Sequence, residues 1–414
     1  MVSYPIQYFS CTPATKLNND HAFQEYVGFF AKIDALFGEV RGETGIKDLK
    51  IDFNNGLRLQ VPAGDWYVRM SNAESGQVFF SGEVSEQILE SKEKYIIPWH
   101  IEVYYAGEKV FEHFFDPTEQ KVFFLCCSKG LGDTLAFLPY IRYYQEIYQA
   151  DVSYYVPDYM RGLCARLFPD LEYQESIMAD TYAVVFANAS LAAPDWMPVD
   201  GRSVPMEDGG KYLLNLPVKA PALTWTPRKS LIAEPYVCIG VQASGAIKGW
   251  LYPGGWDVVV AALKAAGYRV LCIDREKRQE QAGYVTEIPA GAENFTGNIP
   301  LEERADMLAQ AEFFIGLSSG LSWLANLVGC PVVLIGGFTQ DWFEFPNQYR
   351  VRNRMACGGC FNDAHVLFTQ QLCPYQGLGN DRSMECSRLI SPQMVFKAIE
   401  RLLQDKAANA KIEE

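Results

Sequence analysis

Between Lys50 and Phe115 hydrophobic and polar positions alternate with a period of two. Leu57–Val61, Trp66–Met70, Gln77–Ser81, Tyr95–Pro98 and Ile101–Tyr105 read as short strands, with Gly64-Asp65, Ser75-Gly76 and Ala106-Gly107 as turns. The pattern predicts a small antiparallel β module. Ahead of it, His21–Phe37 spaces its apolar residues for a helix.

After Asp116-Pro117 the pattern changes. Lys121–Cys127 is a continuous apolar run, as expected of a strand buried on both faces. A helix over Thr134–Tyr148, a strand over Asp151–Val156, a helix over Tyr159–Phe168 and a strand over Tyr182–Asn188 follow. A second alternating series has strands at Tyr236–Gln242, Tyr268–Asp274, Glu312–Leu317 and Pro331–Gly336. Its helices are Gly255–Ala266, Leu301–Ala311 and Gly320–Val328, with Gly267 and Gly329 placed as C-caps. The proline-rich Pro217–Pro235 reads as a linker, Ser391–Gln404 as a last amphipathic helix, and Asp405–Glu414 as a frayed tail. Strand–helix alternation of this kind predicts two doubly wound α/β units with a ligand cleft between them, at the carboxyl ends of the strands. The expected division is 1–118, the β-rich module with its leading helix; 119–225 and 226–350, the two Rossmann-like domains; and 351–414, a C-terminal subdomain.

Composition narrows the function. The 414 residues are 49% hydrophobic and 21% charged, ordinary for a globular chain, and the net charge of −14 argues against nucleic acid as a partner. No signal peptide is visible, and the longest apolar stretches are too short to span a bilayer. A cytoplasmic protein is expected, and there its 11 cysteines would not form disulfides. The four histidines, His21, His100, His113 and His365, form no HExxH, which argues against zinc-hydrolase chemistry. The aromatic stripe over Trp66–Tyr105 reads as sheet core rather than a sugar platform.

Four constellations could carry chemistry. Gly130-Leu131-Gly132-Asp133 follows a buried strand, and its glycines let the backbone approach a ligand. Asp133 could take a proton from an acceptor hydroxyl, or could simply cap the helix. The run is no full dinucleotide fingerprint, since Leu135 stands where a third glycine would be. Ser318-Ser319-Gly320-Leu321-Ser322-Trp323 opens a helix with small residues, which is either an anion seat or an ordinary capping run. Lys248 lies in a loop at a strand's carboxyl end, where it would neutralise a leaving diphosphate or be merely solvated. Cys357, Cys360, Cys373 and Cys386 have the spacing C-x2-C-x12-C-x12-C, which fits a structural tetrahedral metal knuckle. Iron and zinc both suit four thiolates, and a redox pair at Cys357 and Cys360 is the rival reading.

Gly130–Asp133 with Thr134–Pro139, Tyr268–Glu276, Glu293–Gly297 and Phe314–Ala325, together with the four cysteines, resemble the bacterial autotransporter heptosyltransferases over roughly residues 50–400. The resemblance implies a GT-B fold and transfer of heptose from ADP-heptose to serine hydroxyls of an autotransporter adhesin passenger, inverting or retaining. It also implies one structural iron (or zinc) per subunit, no divalent metal for catalysis, and a homo-oligomeric, dodecamer-like ring with the β module near its contacts. By position, Asp133 becomes the catalytic carboxylate. Lys248, Thr296, Gly297, Ser318, Ser319, Gly320 and Ser322 become donor-binding residues. Lipopolysaccharide heptosyltransferases carry Asp-Thr-Gly-Leu-Ser-His at the donor turn. Ser318 and Trp323 stand for that acid and histidine here, which favours a protein acceptor over a lipid core. Two rivals remain, a lipopolysaccharide core heptosyltransferase and a non-catalytic scaffold. The segment Ala22–Thr44 has no counterpart in the resemblance.

Overall fold

The computed structural model describes residues 4–9, 37–128, 130–187, 195–229, 232–363, 365–366, 373–375 and 382–410. The helix expected over His21–Phe37 lies outside them, Phe37 apart.

The alternating segment folds into two four-stranded sheets. One is antiparallel throughout, in the order Val78–Val84, Trp66–Asn72, Trp99–Tyr105, Glu108–Phe114. Along Trp66–Asn72, Trp66, Val68 and Met70 are buried while Tyr67 faces out, the period-two pattern that marked the strand. The other sheet runs Ile6–Phe9, Gln87–Ser91, Arg58–Val61, Lys50–Asp52. Its outer strand Ile6–Phe9 is parallel to Gln87–Ser91, so the module is not wholly antiparallel as the pattern predicts. Tyr95–Pro98 is no strand, because its backbone bonds elsewhere: the Ile96 N–H donates to the Leu213 carbonyl at 2.8 Å, and Pro98 has no N–H to give.

The module shares an apolar core with the unit that follows. Phe53 packs on Phe115 at 4.8 Å and on Tyr182 at 5.0 Å between ring centres. Its backbone exchanges hydrogen bonds with Tyr182 and Val184 at 3.0 and 3.1 Å. The first α/β unit is a parallel sheet ordered Glu172–Tyr173, Asp151–Tyr155, Lys121–Leu125, Ala183–Phe186. The second is a six-stranded parallel sheet ordered Glu293–Asn294, Arg269–Cys272, Tyr236–Ile239, Phe314–Leu317, Val332–Ile335, Arg350–Val351. Its inner strands are buried along their length, as continuous apolar runs require. All carboxyl ends of a parallel sheet lie on one edge, so the loops after these strands are neighbours.

Two helices depart from the sequence reading in ways that matter. The first begins at Leu131 and runs to Tyr148, three residues ahead of expectation, because Gly130 rather than a polar residue is its N-cap. The last, Pro392–Ala410, runs past Gln404 into the stretch that reads as frayed. There Lys406 reaches Glu312 at 2.6 Å and Asp405 accepts from the Tyr349 hydroxyl at 3.0 Å, tying the final turns to the sheet. Among the described residues no helix is long and apolar enough to cross a membrane.

Candidate functional site

The two α/β units meet at the starts of two helices, Leu131–Tyr148 from the first and Gly320–Leu327 from the second. Glycines make the approach possible. A Cβ on Gly320 would fall 2.6 Å from Leu131 Cβ, and one on Gly132 would fall 2.9 Å from Cδ1 of Trp323. Neither helix start has a side-chain capping bond. Two partial positive charges therefore converge on one place, which suits an anion. An ion pair locks the arrangement further out, with Arg166 reaching both Asp306 oxygens at 2.6 and 2.9 Å.

Asp133 occupies the third position of its helix, half-buried, and its Oδ2 lies where a Cβ on Gly130 would be, only 2.0 Å away. Since Gly130 is the N-cap, the capping alternative for Asp133 falls away. Burial pushes its carboxyl above the ordinary aspartate value, and the Lys248 ammonium pulls it back. Lys248 sits on a single 3-10 turn, Ala246–Lys248, in the loop after Tyr236–Ile239. Burial pushes its ammonium below the ordinary lysine value, against the pull of Asp133 and Glu344. Its Nζ donates to Ser244 Oγ at 3.1 Å and lies 5.7 Å from the Phe338 ring centre. A carboxylate from one half and an ammonium from the other thus share one partly desolvated cleft, where charges act more strongly than in water.

The serine turn divides its labour. The Ser318 hydroxyl donates to the buried Glu344, and the Ser322 hydroxyl donates back to the Leu317 carbonyl at 2.5 Å. Neither hydroxyl proton is left for a ligand. Ser319, the N-cap of Gly320–Leu327, has a hydroxyl with no hydrogen-bond partner. Thr296 and Gly297 follow the edge strand Glu293–Asn294, two strand positions from the Lys248 loop and so about 10 Å along the edge. Gly297 has φ +127, and its carbonyl accepts from Arg304 at 2.8 Å. Arg304 also holds the carbonyls of Phe295 and Asp274, each at 3.1 Å. The Asp274 carboxylate is pushed up to about 6 by burial, although the Val241 and Gln242 amides donate to it at 2.8 and 3.2 Å. Asp274 and Arg304 thus fix three strand ends of the donor edge.

Sequence reasoning missed Glu344, which lies in an irregular segment with no motif around it. It also missed Tyr159 and Arg275: the Tyr159 hydroxyl feels Asp133 and Arg275, one across the cleft from the other, and is raised chiefly by burial. The signal that could have found Arg275 is its place just past the strand Arg269–Cys272.

The four expected metal ligands are electrostatic neighbours in a segment beside this site. Burial first, then the neighbouring Cys357, Cys360 and Cys373, pushes the Cys386 thiol up to about 12. Cys360 is pushed to about 11, again by burial and then by Cys373 and Cys357. Thiols that resist ionisation together are the donor set a cation would relieve. They do not converge on one point: among the described residues the only three or more ligand atoms within 4.8 Å of one another belong to His100, Glu102 and Glu112. All ten described cysteines are free thiols. The cysteine segment packs under the Lys248 loop, with Cys373 and Met384 in one cluster with Ile247 and Phe338. Leu251 N–H donates to Ser387 Oγ at 2.9 Å, and Trp250 Nε1 to the Ile390 carbonyl at 2.9 Å.

Two facing α/β units with a charged cleft between them define a GT-B-like glycosyltransferase fold. Residues 42–107 match the N-terminal domain of the glycosyltransferase TibC, and residues 179–361 match glycosyltransferase family 9 (heptosyltransferase). The autotransporter heptosyltransferase BAHTCr of Citrobacter rodentium is 36% identical over 374 residues, 88% of this chain and 91% of that protein. The chain belongs to the autotransporter heptosyltransferase family. TibC of enterotoxigenic Escherichia coli, whose crystal structure is that of an iron-containing dodecameric glycosyltransferase, superposes with a TM-score of 0.83 at 33% identity, covering 89% of this chain and 98% of TibC. A second TibC structure holds ADP-D-beta-D-heptose and superposes with a TM-score of 0.82. BimC of Burkholderia thailandensis, an inactive autotransporter heptosyltransferase, is 31% identical over 366 residues, 86% of each chain.

Proposed function

We propose that this chain transfers heptose from ADP-heptose to serine hydroxyls of an autotransporter adhesin. The observation that carries the reading is the meeting of Asp133 and Lys248 across the two halves, beside two uncapped helix starts. Asp133 accepts the proton of the acceptor hydroxyl as its oxygen attacks the anomeric carbon. The bond from that carbon to the diphosphate breaks, and ADP leaves with the added negative charge. Lys248, the Ser319 hydroxyl and the amide of Gly320 receive that charge, so no divalent metal is needed. Ser318 and Ser322 shape the turn through backbone and buried bonds, and Thr296 and Gly297 extend the donor edge toward the nucleoside.

ADP-heptose bound to TibC supports the donor, and the names of the relatives support the adhesin acceptor. The iron and the dodecamer of TibC support a bound iron and a homo-oligomer here; the reading takes them as one iron per subunit and a dodecamer-like ring. Cys357, Cys360, Cys373 and Cys386 would hold it, in a structural role beneath the Lys248 loop. The reading places the enzyme in the cytoplasm, upstream of adhesin export.

The test is purified protein with ADP-heptose and a passenger fragment, read by intact mass. A ladder of heptose-sized additions is expected. Asp133→Asn should lower transfer by about 10²–10⁴-fold while leaving ADP binding nearly intact. Undiminished transfer by that variant would refute the base assignment.

A further inference from the structure

Glu344 lies in the irregular segment between Val332–Ile335 and Arg350–Val351 and is only 3% exposed. A buried carboxylate beside a diphosphate seat repels the ligand unless a cation and a definite task hold it there. Both are present. One oxygen accepts from the Ser318 hydroxyl, and the other pairs with Arg350 Nη1. Arg350 is anchored in turn: its Nη2 donates to Thr339 Oγ1 at 2.6 Å and to the Thr339 carbonyl at 3.2 Å, and its Nε lies 3.4 Å from Asp341 Oδ1. The result is a rigid chain, Thr339–Arg350–Glu344–Ser318, that ends on the residue before the N-cap of Gly320–Leu327. The same carboxylate is an electrostatic neighbour of Lys248.

We propose that Glu344 is a positioning residue of the donor site: anchored by Arg350, it holds Ser318 and faces Lys248, presetting the serine turn and the ammonium where the diphosphate binds. The inference rests on the donor-site reading above and goes beyond it, because nothing in the glycine-serine motif points to a carboxylate 26 residues downstream of Ser318. Glu344 acts through Ser318 and Lys248. It also explains why Ser318 offers a ligand no hydroxyl proton: that proton is spent inward, on Glu344.

Two substitutions separate positioning from mere packing. Ser318→Ala deletes the link and keeps the Glu344–Arg350 pair. Glu344→Gln keeps the shape and removes the charge, with Asp341 and Thr339 still holding Arg350. The measurements are ADP affinity by calorimetry across neutral to alkaline pH, and kcat and KM for ADP-heptose. Ser318→Ala should weaken ADP about fivefold, the worth of one hydrogen bond, with the alkaline limb unmoved. Glu344→Gln should weaken ADP about tenfold or more and move that limb to lower pH. The Lys248 ammonium then keeps one carboxylate neighbour, Asp133, of the two it had, while Tyr159 and Arg275 beyond Asp133 and Arg350 and Asp341 beyond Glu344 are unchanged in sequence. KM for the donor should rise more than kcat falls, and the double variant should be no more than about twofold worse than Glu344→Gln, since both act through one link. Folded variants that bind ADP within twofold of wild type, with no shift of the limb, would overturn the inference and leave the donor-site reading standing. Should Glu344→Gln not fold, Ser318→Ala decides alone. Wild-type protein that binds no ADP would remove both.

Discussion

Gly320→Ala tests whether the facing helix starts set the reaction geometry. Gly320 is the first residue of its helix and lies against Leu131, the first residue of the opposing one. The added carbon would sit 2.6 Å from Leu131 Cβ and 2.9 Å from its Cγ and Cδ2. Carbon atoms rest about 3.5–4.0 Å apart, so the two halves must separate locally by roughly 1 Å. Two energy terms nearly cancel. Alanine in place of glycine favours a helix by about 1 kcal/mol, and an overpacked contact costs about 1–3 kcal/mol. The net loss, about 0–2 kcal/mol, moves the melting temperature by a few degrees at most in a chain of this size. Catalysis has no such compensation. Asp133 is two residues from Leu131, and the proposed diphosphate seat includes Gly320 itself. A misplacement of about 1 Å between reacting groups costs on the order of 100-fold. Initial rates of transfer to a passenger fragment should therefore fall about 10–100-fold while ADP still binds and the protein melts nearly as wild type. Adding Leu131→Gly, which moves the small residue to the other helix, should recover most of the rate. A Gly320→Ala enzyme within twofold of wild type, or a double variant as slow as the single, would refute the reasoning.

Other outcomes follow from the same site. Burial raises Asp133 above its ordinary 3.8 and lowers Lys248 below its ordinary 10.5. Asp133 must be ionised to take a proton and Lys248 charged to meet the diphosphate, so kcat/KM should trace a bell whose limbs both lie inside that interval; a flat profile across it would contradict the pairing. Asp274→Asn turns an NH₂ toward a backbone N–H where an oxygen accepted one, so chemical denaturation should register a loss of about 1–3 kcal/mol, and an unchanged midpoint would refute it. Cys386→Ser should lower the metal content per subunit, read by elemental mass spectrometry, and weaken ADP binding through the Trp250–Ile390 and Leu251–Ser387 contacts. Full metal content in that variant would exclude Cys386 as a ligand.

What the sequence made legible is what depends on pattern and on backbone chemistry. Continuous apolar runs marked the inner parallel strands, because burial on both faces leaves no polar position, and Gly267 and Gly329 marked helix ends with φ of +91 and +76. What it hid depends on partners far along the chain. Ile6–Phe9 is too short and too exposed to declare itself, and its parallel pairing with Gln87–Ser91 is set by residues eighty positions away. The polar hairpin Arg278–Gln281 with Tyr284–Glu287 lacks the apolar alternation of a half-buried sheet, although Ala282-Gly283 between its strands, both at positive φ, is the turn it needed. In the site, Asp133 was readable from the glycine turn that opens its helix and Lys248 from the loop that follows a buried strand. Glu344 was not, because its role comes from a loop folding back onto Ser318.

Family membership alone does not decide whether such a chain is a catalyst. BimC resembles it over 86% of each chain and is inactive, so a largely shared core and topology are compatible with lost transfer. The demands of the reaction say where a change abolishes transfer. A proton acceptor must reach a hydroxyl in one half while a cation and helix amides meet the leaving diphosphate in the other. This chain has Asp133 and Lys248 as electrostatic neighbours where the halves meet, glycines where the helix starts touch, and a buried, unpartnered Ser319 hydroxyl at the start of Gly320–Leu327. Each of those features depends on a contact between the halves or on the support beneath the donor loop. The regions most sensitive to inactivating change are accordingly the Gly130–Asp133 and Ser318–Trp323 turns, together with the Glu344–Arg350 pair that braces the second, rather than the large β module, whose strands could vary freely as long as they still bury their inner faces.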